Sequence, residues 1–494
     1  MQPPPSRSKH IHLIGICGTA MGSLAGLLQL RGHRVTGSDA ASYPPMSDLL
    51  ASLGIGIAQP FSAANLDPCP DLVIVGNALS RGNVEIERVL DERIPFTSLA
   101  QIVHDEFLVG RESLVVAGTH GKTTTTSMLA WIYEVASRRR PEFAPSFLIG
   151  GVAENFQTSF HLKSGARGFD AAEGVRPPFI LEGDEYDTAF FDKGPKFMHY
   201  FPDALILTHV EFDHADIYRD LEAVKTAFKR LVNLVPRRGR IVAYDGSRNV
   251  TECVSQALCA VERYGFEADS DWRMEHIEQR AGLTNWSIIR KGEAAEWARI
   301  SMPMAGEHNA LNATAAAALA AGQGVAVDAV IEALATFESV KRRLEVRAVV
   351  NGVTVIDDFA HHPTAIRETL KALRASYPEA RLWAVLEPRS NTLRRNIFET
   401  ELVESLALAD RVALAGVFKQ ESIAEGERLH PESVVRRLRE SGTPAALYRD
   451  ADAIVDALGA ELRSGDVVAI LSNGGFDGIY DKLPARLAQS MAAK

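Results

Sequence analysis

Short apolar runs recur along the chain, each ending abruptly in glycine or polar residues and each followed by a stretch with helical spacing. Residues 10–15 (HIHLIG), 34–37 (RVTG), 71–76 (DLVIVG), 178–182 (PFILE), 205–207 (LIL), 353–358 (VTVIDD), 381–386 (RLWAVL), 411–415 and 466–471 read as strands. Continuous Val, Ile and Leu bounded by turn residues suit strands covered on both faces. Between them, Leu24, Leu27 and Leu28 share one face of a helix that stops at Arg31-Gly32. Residues 123–136 and the Ala-rich 310–321 also read as helices, and residues 311–327 as a buried helical segment. Pro363 suits the first turn of a helix that presents Ile366, Leu370 and Leu373 on one side. Residues 341–345 (KRRLE) read as the end of a helical run, and the Gly- and Pro-rich residues 163–178 as an exposed loop. Strand and helix in alternation predict an α/β fold with doubly wound parallel sheets.

At 494 residues the chain is long enough for about three domains. The pattern divides it at 1–112, 113–338 and 339–494. The expected architecture is a Rossmann-like N-terminal domain, a central phosphate-loop ATPase-type α/β domain and a C-terminal doubly wound, Rossmann-like domain. A formal net charge of −10, with no basic stripe to offset it, argues against nucleic acid as a partner. Four cysteines (Cys17, Cys69, Cys253, Cys259) have no metal-ligand spacing and suit a reduced, cytoplasmic chain. The Pro-rich start, MQPPPSRSKH, is not a secretory signal. No apolar run approaches the roughly 18 residues that span a bilayer, so no membrane insertion is expected.

The chemistry concentrates at residues 115–126, VVAGTHGKTTTT. An apolar strand, a glycine turn and a helix start place backbone N–H groups and the positive helix end around a polyphosphate. Gly118, Thr119, His120, Gly121, Lys122, Thr123 and Thr124 form the expected cradle. Lys122 reaches the terminal phosphates, and the Thr123 hydroxyl ligates Mg²⁺. The usual pattern has glycine where this chain has Val116, so the turn is shortened. The bland alternative is an ordinary glycine-rich turn. Glu182 ends a buried strand, the place for a Mg²⁺ ligand beside a phosphate loop. Residues 205–216 (LILTHVEFDHAD) end a second strand in His209, Glu211, Asp213, His214 and Asp216, with His214 the functional candidate against a satisfied loop histidine. Asn309 and Asn312, in GEHNALN, are either helix caps or contacts to an adenine edge.

In the first segment, Gly15, Gly18 and Thr19 form a glycine-rich turn after a strand, and Asp39 ends the next strand. Cys17 takes the second glycine position of the dinucleotide fingerprint, which disfavours NAD(P). A purely structural turn is the alternative reading. Asn77 and Ser80 follow the 71–76 strand and face the same crevice. In the third segment, Asp358, His361, His362, Glu387, Arg389 and Asn473 all follow strand ends, where an open parallel sheet gathers its ligand-binding loops. Singly, each also reads as a surface loop residue. Two other function classes fit parts of this pattern: a phosphate-loop switch and an NAD(P) oxidoreductase. A ligase needs added small substrates to hydrolyse ATP, and a switch does not.

Taken together, GICGTAMG, AGTHGKTTT, EGDE, EFDHAD, GEHNALN, RRLE and DDFAHHPT resemble the Mur ligase family in order and spacing over nearly the whole chain. The resemblance implies ATP-dependent amide formation through an acyl phosphate, in peptidoglycan metabolism. It assigns Thr123, Glu182 and His214 to Mg²⁺. Asn309 and Asn312 go to adenine, Arg343 to phosphate and Asp358 to ribose. Gly15, Gly18, Thr19, Asp39, Asn77 and Ser80 go to a UDP-sugar. Lys122 and His361 become the catalytic residues, with His361 nearest the reacting amine. The segments SDAASYPPMS, GNALSRGN, FFDKGPKF, LEPRSNT and SNGGFDGI point to a member acting on UDP-N-acetylmuramate and a murein tripeptide. A member using L-alanine is the alternative. For a diaminopimelate end, Arg389 suits the carboxylate and Glu387 the amine, with Asn473 nearby. Two positions depart from the family pattern. His209 stands where several members have Asn. Phe228, flanked by Lys225 and Lys229, stands where several carry a carbamylated lysine, so none is expected.

Overall fold

The computed structural model describes residues 8–42, 46–163, 176–280, 282–293 and 295–492. Three sheets follow one another along the chain. In the first, β1 (His10–Ile14), β2 (Arg34–Ser38), β3 (Ile57–Ala58), β4 (Leu72–Val75) and β5 (Phe96–Ser98) run parallel in the order β3-β2-β1-β4-β5. Strand order reverses at β1, so the loops after β1 and β4 open on one crevice. Helix Thr19–Leu30 packs onto this sheet and onto the next. Its Leu24, Leu27 and Leu28 share an apolar cluster with Leu148 and Phe160 of the central sheet. The Ser23 and Ser159 hydroxyls meet at 2.7 Å across the same contact.

The central sheet holds β6 (Glu112–Ala117), β7 (Ser146–Ala153), β8 (Thr158–His161) and β9 (Pro178–Gly183). A hairpin of β10 (Asp187–Ala189) and β11 (Asp192–Pro195) stands apart from it. The sheet continues with β12 (Ala204–Leu207), β13 (Arg240–Tyr244), β14 (Ala260–Gly265), β15 (Trp272–Arg280), β16 (Leu283–Arg290) and β17 (Ala298–Met302). Its order is β17-β16-β15-β14-β13-β12-β6-β9-β7-β8. The antiparallel wing β15–β17 goes beyond the expected alternation of strand and helix; its inward residues alternate with exposed ones, as in a sheet with one wet face. Helices Lys122–Ser137 and Glu307–Gly322 pack against each other, both lined by small buried side chains.

The third sheet has β18 (Glu345–Val350), β19 (Val353–Asp358), β20 (Leu382–Leu386), β21 (Arg411–Ala415), β22 (Ala445–Tyr448) and β23 (Val467–Leu471). They lie in the order β18-β19-β23-β20-β21-β22, parallel except for the edge strand β18. Apolar clusters cover both faces, as a doubly wound sheet requires. The chain is thus α/β in three successive layered units, as its pattern predicts.

Two local expectations fail. KRRLE does not end a helix: the preceding helix stops at Ala335, and Glu345 already begins β18. Arg342 and Leu344 take φ of 63° and 50°, which no helix accommodates. Tertiary bonds hold that backbone, with Leu344 N–H donating to Asp358 Oδ2 and Phe359 N–H to the Arg342 carbonyl. The buried segment 311–327 is likewise interrupted, because its helix ends at Gly322 and a new one starts at Val327. Residues 164–175 of the expected loop and 1–7 of the Pro-rich start lie outside the described residues. Among the described residues, no helix is long and apolar enough to cross a membrane.

Candidate active site

Strand register builds the site. β6 lies between β9 and β12, so Val116 pairs with Glu182 and Ala117 with Leu207. The loops leaving all three strands therefore meet. Val116 is a fully buried strand residue, and the turn proper begins at Gly118. Gly118 and Gly121 have φ of 132° and 80°. A Cβ at Gly118 would strike Thr208, and one at Gly121 would lie 2.5 Å from Asn312 Oδ1. The second of these ties Asn312 to the phosphate loop. Thr119 is committed within the site: its N–H donates to the His209 carbonyl at 2.7 Å, and its hydroxyl accepts from Glu211 N–H at 2.9 Å. Thr124 is buried in the helix behind the turn. Asn309 does not cap its helix. Gly306 holds that position, while Asn309 Nδ2 donates to the Ala305 carbonyl at 2.7 Å.

Lys122 is the electrostatic centre. Its ammonium donates to the Gly118 carbonyl at 2.7 Å and pairs with Glu185 Oε2 at 2.8 Å. Burial works against its charge, but Glu185, Asp184 and Glu182 together outweigh it and raise its pKa. Thr123 Oγ1 donates to Glu182 Oε1 at 3.1 Å, so two of the three expected metal ligands touch. His214 does not join them directly. Its Nε2 lies 3.3 Å from Glu185 Oε1, with Asp184 in the same cluster. Burial disfavours the His214 imidazolium, yet the bond and charge of Glu185 prevail and raise its pKa to about 9. His214 must therefore shed a proton to ligate a cation. Lys196 Nζ, 2.5 Å from Asp184 Oδ2, supplies a second buried cation. Thr123, Glu182, Asp184 and Glu185 offer the oxygen-rich donor set that Mg²⁺ takes, with His214 as one nitrogen. Phe228 is buried against Phe197, while Lys225 and Lys229 both pair with Glu252.

The third sheet closes the site from the other side. Arg343 stands over the Phe359 ring at 5.0 Å, and burial lowers its pKa, with Asp358 and Glu182 as the nearest charges opposing that shift. Asp358 is a brace: its oxygens accept from Leu344 N, Ala360 N and Thr369 Oγ1. His361 Nδ1 lies 2.8 Å from the Phe359 carbonyl. That bond fixes the proton on Nδ1 and leaves Nε2 as an acceptor, and burial lowers the ring's pKa. Glu387 accepts from Arg389 NH1 at 3.2 Å and from Ser472 Oγ at 2.5 Å. The Arg389 guanidinium lies 3.7 Å over the Phe418 ring. Asn473 Oδ1 nearby is buried with no hydrogen-bond partner among the described residues.

In the first sheet, Gly15, Gly18 and Thr19 turn from β1 into the following helix, and Asn77 and Ser80 leave β4 beside them. Asp39 Oδ2 accepts from Cys17 N–H at 2.8 Å, so this acid also holds the glycine turn.

Comparison with known proteins matches this frame. Residues 10–107 match the Mur ligase family catalytic domain, 116–320 the Mur ligase middle domain and 342–474 the Mur ligase glutamate ligase domain. A UDP-N-acetylmuramate–L-alanyl-γ-D-glutamyl-meso-2,6-diaminoheptandioate ligase from Escherichia coli is 43% identical over 488 residues, 98% of this chain and 99% of that one. The chain belongs to the Mur ligase family. It is accordingly an ATP-using carbon–nitrogen ligase by class. A solved murein peptide ligase from Psychrobacter arcticus is 37% identical with a TM-score of 0.73, covering 97% of this chain and 99% of that one. A UDP-N-acetylmuramate–L-alanine ligase from Burkholderia cenocepacia is similar at a lower level, 32% over 98% of this chain and 99% of that one.

In this Mur ligase site, two acids take roles that the sequence does not assign them. Glu185 joins Lys122 to His214, although it stands in the same EGDE tetrapeptide as Glu182. Glu211 gathers His120, Thr364 and His362, at 3.0, 2.7 and 3.6 Å, across two sheets. His362 is buried and His209 half-buried beside this cluster, and desolvation, reinforced by His120, lowers each pKa to about 4. His362 is fixed neutral, with Nδ1 accepting from Thr364 N–H as the helix cap and Nε2 facing the Phe212 carbonyl. Above the ordinary value of 6.5 neither folded nor unfolded chain protonates these rings; between 6.5 and 4 only the unfolded chain does. Stability is therefore expected to fall as pH drops through that window, by up to about 3 kcal/mol per histidine at the acid limit. Urea midpoints between pH 7.5 and 4 measure it. The His209→Asn variant should flatten the slope, and an unchanged slope would contradict the assignment.

Proposed function

We propose that this Mur ligase joins the carboxylate of UDP-N-acetylmuramate to the amine of L-Ala-γ-D-Glu-meso-diaminopimelate, serving peptidoglycan recycling in the cytoplasm. The observation that carries the reading is the 43% identity, over essentially the full length of both chains, to a ligase named for that tripeptide, against 32% to one named for L-alanine. In this reading residues 1–112 hold the UDP-sugar, with Gly15, Gly18, Thr19, Asp39, Asn77 and Ser80 around it. Residues 113–338 hold ATP, and residues 339–494 the peptide.

Two anions must meet, the sugar carboxylate and the γ-phosphate, so positive charge at their meeting point decides the rate. The phosphate loop from Gly118 to Thr124 orients the phosphates, and Lys122 stabilises charge on the transferring group. Thr123, Glu182 and His214 would hold a Mg²⁺ ion, which would supply positive charge against the phosphate oxygens. Asn309 and Asn312 stand on the adenine side, Arg343 on the phosphates and Asp358 on the ribose. The carboxylate oxygen attacks the γ-phosphorus, the bond to ADP breaks, and an acyl phosphate forms. The peptide amine then attacks its carbonyl carbon. His361 Nε2, the free acceptor of that ring, takes the amine proton, and phosphate leaves as the amide forms. Arg389 receives the carboxylate at the diaminopimelate end and Glu387 its amine.

With carboxylate-¹⁸O UDP-N-acetylmuramate, ATP, Mg²⁺ and the tripeptide, mass spectrometry should find the UDP-linked tripeptide product and one ¹⁸O in the released phosphate. Product without label in phosphate would contradict the acyl phosphate. Phosphate release that needs neither small substrate would contradict a ligase.

A further inference from the structure

The loop that carries His214 and the loop that carries Arg389 are bonded to each other. Thr392 is buried, and its hydroxyl clasps His214 from both sides in sequence. Thr392 Oγ1 donates to Asp213 Oδ1 at 2.5 Å and accepts from Ala215 N–H at 3.3 Å. The same Asp213 Oδ1 accepts from the N–H of His214 itself at 2.7 Å. His214 has a φ of 54°, left-handed for a residue with a Cβ. Such a backbone persists only where its surroundings over-determine it. One residue back along the loop, Asn391 Nδ2 donates to Asp216 Oδ2 at 2.8 Å, and the Tyr186 hydroxyl donates to the same oxygen. Asn391 and Thr392 sit two and three residues beyond Arg389, in the loop that follows β20.

We propose that Thr392, with Asn391, is a positioning residue that couples occupancy of the peptide site at Arg389 to the placement of the cation ligand His214. Neither side chain is assigned to touch a substrate. When the peptide settles the Glu387–Thr392 loop, the clasp on residues 213–216 steadies the His214 backbone, so an occupied peptide site tightens the nucleotide site, while acyl-phosphate formation itself still proceeds without the amine donor. The inference rests on the tripeptide reading above.

Coupling is reciprocal in binding free energy, so it is read in nucleotide affinity. The affinity for Mg²⁺ with a non-hydrolysable β,γ-imido ATP analogue is measured by calorimetry on the full chain with UDP-N-acetylmuramate, with and without tripeptide. In the wild type the tripeptide should tighten the nucleotide about tenfold, within the usual range of such couplings. Thr392→Val should bring that ratio close to one. It should also lower kcat at least as far, while KM for the tripeptide moves much less. Thr392→Ser, which keeps the hydroxyl, should restore the ratio. If Thr392→Val does not fold, Asn391→Ala decides, with a ratio at least halved. A folded Thr392→Val or Asn391→Ala variant with the wild-type ratio overturns the coupling. So does a wild-type enzyme that turns over tripeptide without any shift in nucleotide affinity. A wild type that never uses the tripeptide overturns the function and the coupling together.

Discussion

Replacing Lys122 by alanine is expected to lower phosphate release, with ATP, Mg²⁺, UDP-N-acetylmuramate and tripeptide all saturating, by about a thousandfold. Removal of one preorganised donor from a charge-developing centre costs about a hundred- to a thousandfold, and Lys122 is the cation whose ammonium lies inside the phosphate turn. The loss should fall on kcat. Binding of UDP-N-acetylmuramate, measured by calorimetry, should stay within about twofold, since the crevice of the first sheet opens after β1 and β4, on residues Lys122 does not touch. The variant should also melt earlier, because Glu185 is buried and, among the described residues, keeps only His214 as a cationic partner. Retained turnover within tenfold would remove Lys122 from the catalytic role.

Replacing Arg389 by alanine is expected to reduce kcat/KM for the tripeptide by about a hundredfold, the scale of loss when one member of a desolvated charge pair with the substrate carboxylate is removed. The guanidinium is held flat, stacked on Phe418 and bonded to Glu387, with its shape matched to a carboxylate. Lysine at this position keeps the charge but loses the planar fork and the stack, so Arg389→Lys should recover little. The acyl-phosphate half-reaction needs no peptide, and its rate, followed as ADP release before the amine is added, should be unchanged in both variants. Unimpaired tripeptide use by Arg389→Ala would withdraw Arg389 and Glu387 from the peptide site.

The three-layered architecture and the phosphate loop were legible in the sequence because both rest on local patterns. Buried runs such as LVVA and LWAVL specify strands by themselves, and Gly121-Lys122-Thr123 fixes turn and helix start in three residues. KRRLE misled because its composition favours a helix, whereas its backbone is set by Asp358 and Phe359, which follow it by more than ten residues. The antiparallel wing escaped because its strands are half exposed and lack continuous apolar runs. The position of Glu182 at a strand end was legible in the sequence, but its bond to Thr123, 59 positions away on another strand–loop unit, was not. The same holds for the other bonds made between units. Glu185 becomes central only when Lys122 and His214 converge on it from two other strands. Glu211 meets Thr364 across 153 positions of sequence. The clasp of Thr392 on Asp213 spans 179. No spacing rule carries that information.

One comparison decides which amine the enzyme takes. Phosphate release is measured with ATP, Mg²⁺ and UDP-N-acetylmuramate, once with free L-alanine and once with L-Ala-γ-D-Glu-meso-diaminopimelate as the only amine. The tripeptide reading predicts turnover with the tripeptide and little or none with L-alanine; turnover with L-alanine alone would contradict it.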